Sequence, residues 1–220
     1  MDFIVMSSSR GTTFQAVLDR IRDGSLTARC LGLVSDRADR GCEQKARAAR
    51  VPVAIVEKKA GESREEYDER VDEAIKELSS SAPSPGAPEA RHPLPLPQER
   101  EVVIAALGWM SILSPWFIQQ HKDRIINVHP ALLPKFGGAG MYGDKVHAAV
   151  LASGDRESGI TIHLMDEGVD TGEILLQKTC PVLPDDTVAS LKERVQALEK
   201  EWYPKILQMI EEGHPSLRSG

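Results

Sequence analysis

Apolar positions along this chain alternate between short continuous runs and stretches in which they recur every third or fourth residue. DFIVMS, at residues 2 to 7, predicts a buried strand. Phe14, Val17, Leu18 and Ile21 follow at helical spacing and predict a helix ending near Gly24. The alternation continues with a strand at ARCLGLVSD, a short helix at GCEQKARAAR, a strand at PVAIVE and a charged helix from about Ser63 to Leu78. EVVIAAL is a fourth strand and IINVH a fifth, with Ser114 and Pro115 as N-cap and first turn of the helix between them. This order predicts an α/β fold, a mostly parallel twisted sheet with helices on both faces. The last third differs. GITIHLMD and EILLQKTCPV read as two strands joined by a short loop, an antiparallel C-terminal portion. A final helix then carries Leu191, Val195, Leu198 and Trp202 on one face.

One segment departs from both patterns. Residues 79 to 100, SSSAPSPGAPEARHPLPLPQER, are rich in Pro, Ser and Ala, a composition expected to form neither a helix nor a central strand. They read as a surface insertion within a single domain spanning 1–212, followed by a tail at 213–220. A sharper reading makes PLPLP a polyproline docking segment, which no other feature supports.

Charge and cysteine content narrow the class. The chain carries 27 Lys and Arg against 33 Asp and Glu, a formal charge of -6, which argues against a nucleic-acid surface. Its 3 cysteines are widely spaced with no CxxC, as expected of reduced thiols in a cytoplasmic protein. The first residues resemble no signal peptide, and no run approaches the ~20 apolar residues of a membrane span. Monomer and homodimer both remain open.

Three stretches carry candidate chemistry. SSSRGTTFQ, residues 7 to 15, joins the first strand to the first helix, where free N–H groups and the positive dipole end suit a small anion. Gly11, Thr12 and Thr13 fit a phosphate; the plainer alternative is a threonine that only caps the helix. The stretch matches neither GxGxxG nor a Walker loop, so no nucleotide cofactor is indicated. The second stretch is RIINVHPALLP, where Asn127 and His129 share one strand face at the end where sites of such sheets form. An amide beside a protonatable imidazole suits oxyanion stabilisation and proton transfer. Prolines stiffen the exit of this strand, and glycines in HPALLPKFGG allow a flexible loop. The third is MDEGVDTGE, residues 165 to 173, an acidic turn from which one carboxylate can pair with His129. A metal site would need His or Cys spacing that this stretch lacks, so none is expected. His163, on the strand TIHLM, reads as structural.

Together these stretches resemble the glycinamide ribonucleotide (GAR) formyltransferase family, the folate-dependent formyl transferases of purine synthesis. The resemblance covers about residues 1 to 210 and rests on SSRGTTFQ, SREEYD at 63–68, GWMSILSP at 108–115, NVHPALLPKF at 127–136, DEGVDTG at 166–172 and QALEKEWYP at 196–204. It implies a formyltransferase (Rossmann-like) fold and 10-formyltetrahydrofolate as co-substrate, with no metal. His129 would be the general acid, Asn127 the partner of the formyl oxygen and Asp170 the carboxylate supporting the His129 imidazolium. Gly11, Thr12 and Thr13 would hold the GAR phosphate, while Gln196, Ala197, Leu198 and Glu199 would lie along its ribose. Met110, Ser111, Ile112 and Leu113 would enclose the pterin with Asn127 and the loop Asp166, Glu167, Gly168, Val169 and Asp170. Arg64 would approach the folate tail.

The chain departs from the family at three of these positions. Ser9 stands where Gly is common, Thr13 where Asn is common, and Ser111 where an Arg often meets the folate glutamate tail. Rival readings are formyl transfer to methionyl-tRNA or an amino sugar, formyltetrahydrofolate hydrolysis, and folate binding without turnover. A tRNA enzyme is expected to carry a second, basic C-terminal domain, and a hydrolase an N-terminal regulatory one. Asn127, His129 and Asp170 together argue against binding alone.

Overall fold

A computed structural model gives the fold of residues 1–81 and 102–213. In chain order the elements are β1 (Asp2–Met6), α1 (Thr12–Arg22), β2 (Arg29–Ser35), α2 (Gly41–Ala48), β3 (Val53–Ile55), α3 (Arg64–Ser80), β4 (Val103–Ala106), α4 (Pro115–Gln120), β5 (Ile125–His129), α5 (Asp144–Ser153), β6 (Glu157–Leu164), β7 (Ile174–Pro181) and α6 (Val188–Glu211). The strands form one sheet in the order β3-β2-β1-β4-β5-β6-β7. β1 to β5 run parallel, and β6 and β7 complete the sheet antiparallel, as the sequence pattern predicts.

The continuous apolar character of β1 follows from burial on both faces. Phe3 and Val5 enter a core built with α1, α2, α5 and α6, whereas Ile4 and Met6 enter a second core under α3 and α4. Each fully buried residue of this size contributes ~1.5–3 kcal/mol. Caps set the helix starts. Ser63 and Glu66 form a reciprocal capping box on α3, and the Ser114 hydroxyl accepts the Phe117 N–H at 3.2 Å.

Two elements differ from the sequence expectation. α5 follows the stretch HPALLPKFGG, read as a flexible loop, where the sequence pattern predicted no element. Gly138, Gly140 and Gly143 at positive φ carry the chain into it, and Val146 and Val150 bury its inner face. α3 continues to Ser80, into a segment whose composition argues against a helix. The Ser79 hydroxyl donates to the Ile75 carbonyl at 2.7 Å and Ser80 to Glu77 at 3.1 Å, so these serines satisfy carbonyls of the last turn. The remainder of the Pro-rich insertion, including PLPLP, and the tail beyond 213 lie outside the described residues.

The sheet reverses its direction of winding beside β1, which pairs β2 on one side and β4 on the other. Ligands of open α/β sheets bind where such a reversal opens a crevice beyond the strand ends. Among the described residues no helix is long and apolar enough to cross a membrane.

Candidate active site

The loop leaving β1 is held by its own serines. Ser7 donates to the Leu107 carbonyl at 2.7 Å, and the Ser9 hydroxyl accepts the Gly11 N–H at 3.1 Å. Gly11 has φ 70°, and a Cβ there would stand 2.7 Å from the Cα of Cys42, so only glycine fits. It is itself the N-cap of α1 and no side chain caps that helix, which removes the reading of Thr12 or Thr13 as a cap. The N–H groups of Thr12 and Thr13 fall in the first turn, where no helical carbonyl reaches them. The Thr13 hydroxyl instead donates to Oε2 of Glu199 at 2.9 Å, joining α1 to α6. Burial pushes the Glu199 carboxyl up to about 6, against the opposing pull of that hydrogen bond. α6 is fixed against β5 by Tyr203, whose buried hydroxyl donates to the Ile126 carbonyl at 2.8 Å.

At the end of β5, period two puts Asn127 and His129 on one face. The antiparallel register sets Asn127 opposite His163 and His129 opposite Thr161. The Asn127 amide lies 3.2 Å from Nε2 of His163, whose Nδ1 lies 2.8 Å from the Leu164 carbonyl. Burial holds the His163 ring below the ordinary histidine range, so it is neutral. A neutral ring with its hydrogen on Nδ1, facing the Leu164 carbonyl, accepts from Asn127 at Nε2 and fixes which way the amide points. The 3.7 Å approach of His163 to Asp170 is therefore not an ion pair. Thr161 receives the Leu133 N–H at 2.9 Å and donates to the Ala131 carbonyl at 2.7 Å, holding the exit of β5 against β6.

His129 is 3% exposed. Its Nε2 lies 2.8 Å from the Phe136 carbonyl and its Nδ1 3.3 Å from Oδ2 of Asp170. Both neighbours are acceptors, so each can take a hydrogen from the ring nitrogen that it faces. Asp170 sits at φ 60° and also accepts the Gly138 N–H at 3.0 Å, which ties its loop to the one after β5. The other carboxylates of the acidic turn have different tasks. Asp166 accepts from Gly168 and Thr171 within the turn, and Glu167 accepts from Gln119 of α4.

One cleft of about 660 Å³ connects these groups. Of the residues expected at the site, it is lined by Thr12, Thr13, Met110, Ser111, Ile112, Leu113, Asn127, His129, Asp166, Gly168, Val169, Asp170, Gln196 and Glu199. Gly11 is not on its walls, although its neighbours Arg10 and Thr12 are. Glu167, Ala197, Leu198 and Arg64 are not on its walls; Ala197 is exposed, Leu198 packs on the core, and Arg64 starts α3. Met110 and Ile112 are half exposed inside the cleft, apolar surface suited to a flat ring.

A family model described as formyl transferase matches residues 1–82 and 95–207. The chain belongs to the formyl transferase family. Phosphoribosylglycinamide formyltransferase of Haemophilus influenzae is 28% identical over 214 residues, covering 97% of this chain and 89% of that protein. The Bos taurus protein named trifunctional purine biosynthetic protein adenosine-3 is 31% identical over 209 residues, 95% of this chain, which spans 18% of that protein's length. Among solved structures, glycinamide ribonucleotide transformylase 1 from Symbiobacterium toebii superposes with a TM-score of 0.80 at 29% identity, over 97% of this chain and 88% of that one.

In this formyl transferase, the cleft includes residues that spacing along the sequence did not single out: Arg10, Trp109, Tyr142, His147, His163 and Lys192. His163 had a legible signal, because Thr161 and His163 repeat on β6 the polar alternation of Asn127 and His129 on β5. His163→Ala should free the Asn127 amide and lower kcat about 10²-fold with KM for both substrates nearly unchanged. His163→Gln, which restores an acceptor, should recover part of the loss. Full activity in the alanine variant would show that Asn127 needs no such restraint.

Proposed function

We propose that the chain transfers the formyl group of 10-formyltetrahydrofolate to the amine of glycinamide ribonucleotide, in purine biosynthesis. The observation that carries this reading is the single cleft joining Asn127, His129 and Asp170 to the Thr13–Glu199 end, where an anion and a ribose can be held. The relatives named phosphoribosylglycinamide formyltransferase support it.

The apolar wall at Met110, Ile112, Leu113 and Val169 takes the pterin of the folate, which enters as a co-substrate. The substrate phosphate lies on the first turn of α1 and its ribose hydroxyls donate to Glu199. The amine nitrogen then attacks the formyl carbon, forming the new C–N bond while the carbonyl electron pair moves to oxygen. Asn127, with a second amide hydrogen beyond the one given to His163, stabilises that oxyanion, joined by the His129 ring once its Nε2 side turns from the Phe136 carbonyl to the substrate. The attacking nitrogen loses a proton and the carbonyl re-forms. The bond to folate N10 breaks as that nitrogen gains a proton through His129, leaving tetrahydrofolate.

The substrate end can be tested by removing the phosphate. Tetrahydrofolate release should require the ribonucleotide, and its dephosphorylated form should be a far poorer acceptor. Equal use of the two would move the reading to an amino-sugar or other amine acceptor.

Glu199 gives a further expectation with a definite sign. Its folded value of about 6 lies above the ordinary 4.5, so folding favours the protonated form. The stability it contributes is present below 4.5 and is lost as pH rises through 6. Glu199→Gln should therefore raise stability at neutral pH by ~1–2 kcal/mol, a gain that disappears in acid. The same variant should weaken ribonucleotide use roughly 10- to 100-fold in kcat/KM, because the ribose donors lose a charged acceptor. Thermal unfolding against pH reads the first effect and steady-state kinetics the second.

A further inference from the structure

The α1 end of the cleft brings the cations Arg10 and Lys192 together with the carboxylates Asp144 and Glu199. Lys192, Gln196 and Glu199 recur at i, i+4 and i+7 on α6 and all line the cleft. The Lys192 amine pairs with Oδ1 of Asp144, the first residue of α5, at 2.6 Å. Arg10 precedes the α1 N-cap on the same cleft wall and its guanidinium meets no partner among the described residues. It stands near enough to act on Asp144, whose carboxyl is held below its ordinary range by the Lys192 hydrogen bond first and by Arg10 to a lesser degree. Lys192 thus holds the carboxylate, and Arg10 stands beside the pair without contacting it. His147, 2% exposed, also lines this end, and its buried Nδ1 has no hydrogen-bond partner among the described residues.

Asp144 is poorly suited to a permanent structural tie. Its side chain is 69% exposed, against 28% for Lys192. It directly follows Gly143, whose φ of 57° and ψ of -135° only glycine adopts without strain. A surface pair of this kind contributes little to stability. A phosphate monoester dianion brings up to two charges and several acceptor oxygens to the same place, and so competes effectively for both cations.

We infer that Lys192 and Arg10 form a clamp for the phosphate of the acceptor substrate, and that Asp144 occupies Lys192 until the phosphate displaces it. The inference rests on the reading of glycinamide ribonucleotide as acceptor. Phosphate binding then has two parts: N–H groups of the α1 first turn, and side-chain cations from the loop before α1 and from α6. Asp144 sets a threshold, since an acceptor without the phosphate has no charge with which to replace it.

The clamp predicts effects of opposite sign for the two partners of one ion pair. Lys192→Met should raise KM for glycinamide ribonucleotide and Kd for ribose 5-phosphate by roughly 10- to 100-fold. Arg10→Met should shift both in the same direction. Asp144→Asn should lower both by ~2- to 5-fold. KM for 10-formyltetrahydrofolate reports on the other end of the cleft and should not follow these changes. A purely structural tie between α5 and α6 would make Lys192→Met and Asp144→Asn weaken binding alike, with matching losses of thermal stability, and that result overturns the clamp. So does failure of the wild type to bind ribose 5-phosphate by calorimetry. Opposite shifts in ribose 5-phosphate binding without turnover of the ribonucleotide would sink the substrate reading and keep the clamp. Turnover with shifts of one sign would do the reverse.

Discussion

His129→Ala is expected to lower kcat/KM by ~10²–10⁴-fold while both substrates still bind. The size follows from two tasks converging on one ring, stabilising the oxyanion and delivering the proton to the departing nitrogen. The ring is buried at the closed end of β5 and reaches only the Phe136 carbonyl, Asp170 and the cleft. Water entering the cavity left by alanine has no fixed orientation and cannot replace it. Binding should survive, because the groups proposed to hold the phosphate and the pterin lie on α1, α6 and the loops after β4 and β6. Single-turnover kinetics with both substrates saturating separates these effects. Loss of substrate binding with a normal rate for the bound complex would make His129 a structural residue.

Asp170→Asn should have the second largest effect, a fall in kcat of about 10²–10³-fold with KM values within a few-fold. The substitution isolates charge. Asn tolerates the left-handed backbone at φ 60° that Asp170 adopts, and its side-chain oxygen can still accept the Gly138 N–H. What disappears is the negative charge beside Nδ1 of His129. Single-turnover kinetics should place the loss in the chemical step. A near-normal rate would leave Asp170 with only its loop contact.

Much of this was legible because burial on both faces writes each parallel strand as an unbroken apolar run. Asn127 and His129 stood out because they interrupt such a run, whereas the acidic turn offered several carboxylates and only the family resemblance picked Asp170 from them. α5 was missed for a local reason: Gly138, Gly140 and Gly143 precede it and suggest an open loop, although Val146 and Val150 carry a helical i, i+4 pair. His163 was assigned to structure because its partnership with Asn127 depends on the antiparallel register of β5 and β6, which no single strand encodes. The Thr13–Glu199 hydrogen bond spans most of the chain. Sequence suggested an anion site at one end of it and a ribose contact at the other, but the fold alone joins them. Ser9 has a use inside the loop, since its hydroxyl accepts the Gly11 N–H and donates to the Leu107 carbonyl.

The fate of the formyl group tests the central claim most directly. With an isotopically labelled formyl carbon on the folate, the account predicts that the label appears on the amine of glycinamide ribonucleotide, one equivalent for each tetrahydrofolate released. Omitting the ribonucleotide should stop the reaction. Label recovered as formate at the same rate without any acceptor, or carried by another amine in preference, would contradict it.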